Sequence, residues 1–227
     1  DLYFQTILPD GSLPFPEKAI TTDHPPEESS GVGPNDMVWT GSTFGIVYDT
    51  WGTSYILNLD HEGGFLDRNT IGTESVNRLS LVWTGSWYSI AYPKYTVNLA
   101  HFAMDGSDFE ESQVTTGSNP DLVWTGSEYI IALTSDWSFS VEMWWCEWSC
   151  LFADDHLVIG DDGYLYPGRT YGSSLTWTGA EAAVSYTDRG DEELGIPRSI
   201  GVATVGDDET IGDHVVTGET MLSTEGS

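Results

Sequence analysis

The sequence predicts an all-β chain, a β-propeller of five four-stranded blades forming a single domain over residues 1–227. Three observations predict it. The stretch Val38–Ser42, VWTGS, returns at Val82–Ser86 and Val123–Ser127, and a fourth version, TWTGA, sits at Thr176–Ala180. The repeat tryptophans Trp39, Trp83, Trp124 and Trp177 lie 44, 41 and 53 residues apart. A period of about 40–50 residues is what one four-stranded blade requires. Helical patterning is nearly absent, because Gly, Pro and β-branched residues recur too often for a long helix.

Each repeat divides into the same parts. The units run over about 1–34, 35–78, 79–119, 120–172 and 173–217. A short apolar strand ends in Trp-Thr-Gly, and the Gly with the small residue after it makes a tight turn. A second strand follows at Thr43–Tyr48, Trp87–Tyr92, Glu128–Leu133 and Glu181–Tyr186. These segments alternate large and small residues and are rich in β-branched and aromatic types, a hairpin signature. A third strand leads to an acidic Gly turn at Tyr55–Gly64, Val97–Gly106 and Ser199–Asp208. A fourth ends in Val-Thr, as at Gln113–Thr115 and Val215–Thr217.

The N-terminal segment Asp1–Thr22 reads as a third strand, a Pro-Asp-Gly turn and a fourth strand. The chain is therefore expected to start halfway through a blade. The tail 218–227 is expected to complete that blade, since Thr220–Ser227 can be laid over Asp36–Ser42 with one extra residue. Termini that share one blade would hide the open edges of a ring. The missing leader and initiator Met fit a chain processed from something larger.

The motif P-D-L-V-W-T-G-S-E-Y, best written at Asn119–Leu133, resembles the tandem repeats of secreted or surface proteins of myxobacteria and related bacteria. The resemblance covers almost the whole chain. It implies a propeller outside the cytoplasm and no particular reaction. The CEWSC segment and the Ala182-Ala183 second strand depart from the pattern.

Composition narrows the function. The chain carries 7 Lys plus Arg against 36 Asp plus Glu, a formal charge of −29. Such a surface repels phosphate backbones and anionic lipid, which excludes nucleic-acid binding and polybasic membrane docking. No apolar run is long enough for a membrane-spanning helix. The acidity suits cations, cationic partners or a salty medium, and solubility alone would also account for it. The two cysteines, Cys146 and Cys150, are too few for a four-ligand zinc site. In a straight strand they would lie about 13 Å apart, so a disulfide between them requires a local turn. A small clipped loop in an exported protein is expected, the alternative being two reduced thiols.

The tryptophans have two readings. One large flat residue per blade fills the wedge between sheets, so Trp39, Trp83, Trp124 and Trp177 are expected in the core. Truncating one would then cost about 3–5 kcal/mol. The alternative is a set of sugar-stacking platforms. The Thr hydroxyl beside each Trp is expected to reach the neighbouring blade. Trp137, Trp144, Trp145 and Trp148 cluster where the repeat spacing lengthens. They read as an insertion presenting a glycan or protein contact, or as a loop folded back over its own rings.

Acidic turns suggest calcium, with Asp105, Asp108, Asp161 and Asp162 as ligands, although Asp-Gly is also the default hairpin turn. No other cofactor is implied. Asp36 and Asp121 stand three residues before their Trp, where Ser80 and Ser174 stand in the other units. Facing a central channel, they would be the carboxylates of a glycosidase-like site. No nucleophile elbow or phosphate loop is present. The function expected is a secreted or cell-surface binding module for a glycan or protein partner, without catalysis. The alternatives are a structural piece of a larger extracellular assembly and a glycosidase-like enzyme.

Overall fold

The computed structural model describes residues 2–20, 33–50, 53–72, 78–135, 140–147, 156–159, 170–188, 199–206 and 211–218. All regular elements among them are strands. They form two compact units, Asp1–Gln113 and Val114–Ser227, described here separately.

The first unit opens with β1 (Tyr3–Phe4) and β2 (Lys18–Ala19), an antiparallel pair. The first blade follows: β3 (Gly33–Trp39), β4 (Phe44–Thr50), β5 (Thr53–Leu59) and β6 (Phe65–Gly72). The second is β7 (Ser80–Trp83), β8 (Tyr88–Pro93), β9 (Val97–Phe102) and β10 (Glu110–Thr115). In the second unit the third blade is β11 (Ser118–Trp124), β12 (Tyr129–Thr134), β13 (Val141–Cys146) and β14 (His156–Ile159). The fourth is β15 (Thr170–Trp177), β16 (Glu181–Asp188), β17 (Ser199–Gly206) and β18 (Ile211–Gly218). Each sheet keeps chain order, so each is an antiparallel meander of the propeller-blade type. The fold class expected from the repeat is the one observed at this level. Of the tail that was expected to complete the blade begun by β1 and β2, residues 219–227 lie outside the described residues.

The Thr-Gly-Ser/Ala corner keeps one backbone geometry in all four blades. Gly41, Gly85, Gly126 and Gly179 have φ between 97° and 111°, the left-handed region that only glycine enters freely. A positive φ at the first of two loop residues is the mark of a type II′ hairpin. The Thr hydroxyl closes the same turn. Thr43 N donates to Thr40 Oγ1 at 3.0 Å, Trp87 N to Thr84 Oγ1 at 3.0 Å, and Glu128 N to Thr125 Oγ1 at 3.1 Å. The fourth corner repeats this, with Glu181 N on Thr178 Oγ1 at 3.0 Å. This corrects the expectation that the hydroxyl reaches the next blade. An oxygen three residues from a backbone N–H satisfies it locally before any distant partner is needed.

Each blade has a front face, which carries its repeat Trp, and a back face. In the first unit, Leu2 and Phe4 of the β1–β2 hairpin cover part of the front face of the first blade, packing with Ile46, Tyr48, Leu57 and Leu59. The back face of that blade, with Val47 and Ile56, packs against Leu81, Tyr88, Ile90 and Phe102 on the front of the second. Between these two blades Gly45 is a tight point, where a Cβ would stand 2.5 Å from the Tyr88 ring. In the second unit, Ile130, Ala132, Val141 and Met143 on the back of the third blade meet Leu175, Val184, Tyr186 and Val205 on the front of the fourth.

The repeat tryptophans are not the centre of these cores. Trp39 is 44% exposed, and Trp83, Trp124 and Trp177 are half-buried. The cross-strand partners of Trp83 and Trp124, Tyr88 and Tyr129, are fully buried, both 0% exposed. Burying such a ring contributes about 2–3 kcal/mol. Trp39, Trp83 and Trp124 lean on Phe44, Tyr88 and Tyr129 with centroids 4.6–4.9 Å apart, while Trp177 stands opposite Ala182; all four lie at the rim of the core, so the wedge expectation is corrected to a rim position.

Candidate functional site

Asp36 and Asp121, the expected channel carboxylates, do the same thing in both units. Asp36 Oδ1 accepts from Met37 N at 2.7 Å, and its Oδ2 accepts from Leu81 N at 2.8 Å, in the second blade. Asp121 Oδ1 accepts from Leu122 N at 3.0 Å, and its Oδ2 from Leu175 N at 2.7 Å, in the fourth blade. Each carboxylate is thus a joint between the first strands of adjacent blades, made of two charge-assisted bonds to backbone donors. Each oxygen of each acid thus accepts one backbone N–H, a structural role that the sequence pattern did not announce. Ser80 and Ser174 occupy the same position in the blades that receive the joint.

A second polar knot lies between the first two blades. Tyr88 Oη donates to Asn58 Oδ1 at 2.7 Å, while Asn58 Nδ2 donates to Asp67 Oδ1 at 2.7 Å and to the Met104 carbonyl at 3.0 Å. Burial pushes the Tyr88 phenol up to about 12, assisted by the Asp67 charge and opposed by the Thr43 hydroxyl. Ser89 Oγ and His101 Nδ1 are 2.8 Å apart, a Ser–His pair that sequence reasoning missed. The pairing of β8 with β9 creates it, and no local motif announces it. With Ser89 0% and His101 2% exposed, the hydroxyl is closed to substrate and the pair serves the core.

The acidic turns are hairpins of one design. Asp105 Oδ1 accepts from Ser107 N at 3.0 Å, and Gly106 carries φ 77°. Asp10 with Ser12 and Gly11 repeats it at the N-terminal hairpin. Bonds to Ser107, side chain first and backbone second, hold the Asp105 carboxyl below its ordinary value. In the first blade Asp60 takes the Gly64 and Glu62 N–H groups and is likewise lowered, with the Gly64 bond first. Asp108 is exposed on the stretch before β10, and Asp161 and Asp162 lie outside the described residues. Among the described residues no group of three or more His, Cys, Asp or Glu side chains is placed to hold a metal ion.

The aromatic cluster is placed differently from the expectation. Trp144 and Trp145 are regular residues of β13, opposite Ile131 and Ile130, and not part of an insertion. Adjacent strand residues point to opposite faces. Trp145 packs against the core of the second unit on the side of Met143. Trp144 is half-buried on the other side, and its Nε1 donates to Glu142 at 3.1 Å. Cys146 ends the strand, 3% exposed. Trp137, Trp148 and Cys150 lie outside the described residues, and so does the pairing expected for the two cysteines.

The four Thr-Gly-Ser/Ala corners remain as a repeated polar and aromatic surface. At each, a partly exposed indole sits beside an exposed small turn residue, Ser42, Ser86, Ser127 or Ala180. Among the described residues no hydrogen bond is made by the indole N–H of Trp39, Trp83, Trp124 or Trp177. The rings of Trp39, Trp83 and Trp124 are held by their aromatic neighbours, that of Trp177 by the core it packs on, and the turns by the Thr hydroxyls, so the surface is preorganised.

Comparison with known proteins adds little here. No family model matches the chain, and no curated protein matches it. Among solved structures it is similar to a chain from a structural and mechanistic analysis of two prolyl endopeptidases, at 13% identity and a TM-score of 0.46. The match covers 84% of this chain and 29% of that one, so this chain spans less than a third of that protein's length.

Proposed function

We propose that this protein is an extracellular or cell-surface binding module that recognises a glycan through the Trp-Thr-Gly-Ser corners of its blades and performs no catalysis. The observation that carries the reading is the repeated corner: an indole with a free N–H and an open flank beside a rigid turn. An aromatic flank takes the apolar face of a sugar ring, and the adjacent N–H and hydroxyl donors take its hydroxyls. The chain's charge of −29 favours neutral or amino sugars over uronate or sulfated ones. A loop clipped by a Cys146–Cys150 disulfide belongs with an exported protein and is part of the same proposal. Calcium enters only as an accessory at the acidic turns.

Intrinsic fluorescence titrated with neutral and amino-sugar oligosaccharides tests it. Saturable changes are expected, weakened at least tenfold in the double variant Trp83→Ala, Trp124→Ala, with no effect of chelator. A flat response to every sugar in the native protein would sink the glycan reading.

A further inference from the structure

The front face of the first blade is exposed at Met37 and Trp39 of its inner strand. Met37, Leu81, Leu122 and Leu175 are equivalent by register, each two residues before its repeat Trp. Leu81, Leu122 and Leu175 are 4%, 3% and 7% exposed, whereas Met37 is 51% exposed. Trp39, two residues on, is also the most open of the repeat tryptophans at 44%. The reason is visible in the first unit. The β1–β2 hairpin matches the third and fourth strands of the repeat, with the same Asp-Gly turn, and covers only the outer part of this face through Leu2 and Phe4.

We infer that Met37 and Trp39 form a docking site for a β-hairpin of the same repeat type, supplied by another polypeptide. The other blades define the occupant. Leu81 is covered from β3–β4, with Val38 and Val47 packed against the same cluster, and Leu175 from β11–β12, with Val123, Ile130 and Ala132. A two-stranded hairpin is therefore the matching cover. It would lie against the established packing of β1–β2 on this blade and continue it. It needs no carboxylate at the joint, because Met37 N already donates to Asp36. A hydroxyl there, like Ser80, completes the pattern. Charge selects the source: a chain at −29 disfavours a second copy of itself and favours a neutral or basic partner. This site is separate from the glycan reading and stands without it.

A fluorescently labelled peptide copying Arg78–Pro93, the inner hairpin β7–β8 of the second blade, is the probe, read by anisotropy against the full chain. Saturable binding is expected, at least tenfold weaker with Met37→Glu and with a scrambled peptide, and unchanged with Ile200→Glu at another exposed apolar position. Because Met37 is exposed, Met37→Glu should leave the circular dichroism and melting midpoint of the protein unaltered. Absence of saturable binding to the native chain would overturn the inference. Binding only to a chain truncated after Gly218 would also overturn it and assign the slot to the chain's own tail. Self-association abolished by Met37→Glu would overturn it in favour of a second copy.

Discussion

Replacing Asp121 with Ala tests whether the repeated carboxylate is a joint. The side chain accepts from Leu122 N and Leu175 N at 3.0 and 2.7 Å. Leu122 and Leu175 are 3% and 7% exposed, so both N–H groups lose their acceptor in places that water reaches poorly. Hydrogen bonds to a charged group are worth about 1.5–3 kcal/mol each. Asp121 itself is half-buried, which favours the lower end for each bond. The expected loss is about 3–4 kcal/mol, read as a lower urea midpoint. Native-state hydrogen exchange gives the residue-level readout: the Leu175 amide should lose at least tenfold protection, whereas amides of the first unit should not change. Asp121→Asn keeps one acceptor oxygen and should lose about half as much. A change below about 0.5 kcal/mol, or unaltered protection at Leu175, would refute the reasoning and reopen Asp121 as a free carboxylate.

Other expectations follow from the same geometry. Gly126→Ala meets no atom within 4 Å, yet φ is 111°, so its cost is conformational, about 1–2 kcal/mol. Gly45→Ala is the opposite case: it should cost about 1–3 kcal/mol or more by collision with Tyr88, and Tyr88→Phe should recover little of it, because the ring carbons collide as well as the hydroxyl. The raised Tyr88 phenol predicts a pH window. The folded state holds this proton to about 12 against an ordinary value of 10.0, so the stabilisation is full below pH 10 and disappears as pH rises through 12. Unfolding midpoints measured across that range should fall less steeply in Tyr88→Phe. Trp145→Ala should lower stability by about 2–3 kcal/mol because the ring packs on the core of the second unit, with Trp144→Ala costing clearly less, both by urea titration.

Much of the fold was legible because the repeat writes it in letters. The second strand expected at Thr43–Tyr48 is β4, Phe44–Thr50, and the Asp-Gly hairpin expected near Asp10 is closed by that residue. The Gly of each corner announces its positive φ, since few other residues tolerate it. What the sequence hid has a common cause: the partner was a backbone group or lay across strands. Asp36 meets the N–H of Leu81, 45 residues away, and an amide has no letter of its own. Ser89 and His101 meet only when β8 pairs with β9. Trp144 and Trp145 looked like an excess of aromatics on a loop, but neighbouring strand residues divide between two faces. Met37 is apolar like Leu81, Leu122 and Leu175, so its exposure follows from what lies beside it and not from its own identity.

The proposed function is glycan recognition without hydrolysis, with the repeated acids joining adjacent blades. A glycan array probed with the native protein and with Asp121→Asn tests it most directly. The account predicts binding to neutral or amino-sugar glycans by both proteins, at a temperature where both remain folded, with no loss of the bound sugar over time. Hydrolysis of an arrayed glycan by the native protein that disappears in Asp121→Asn would contradict it.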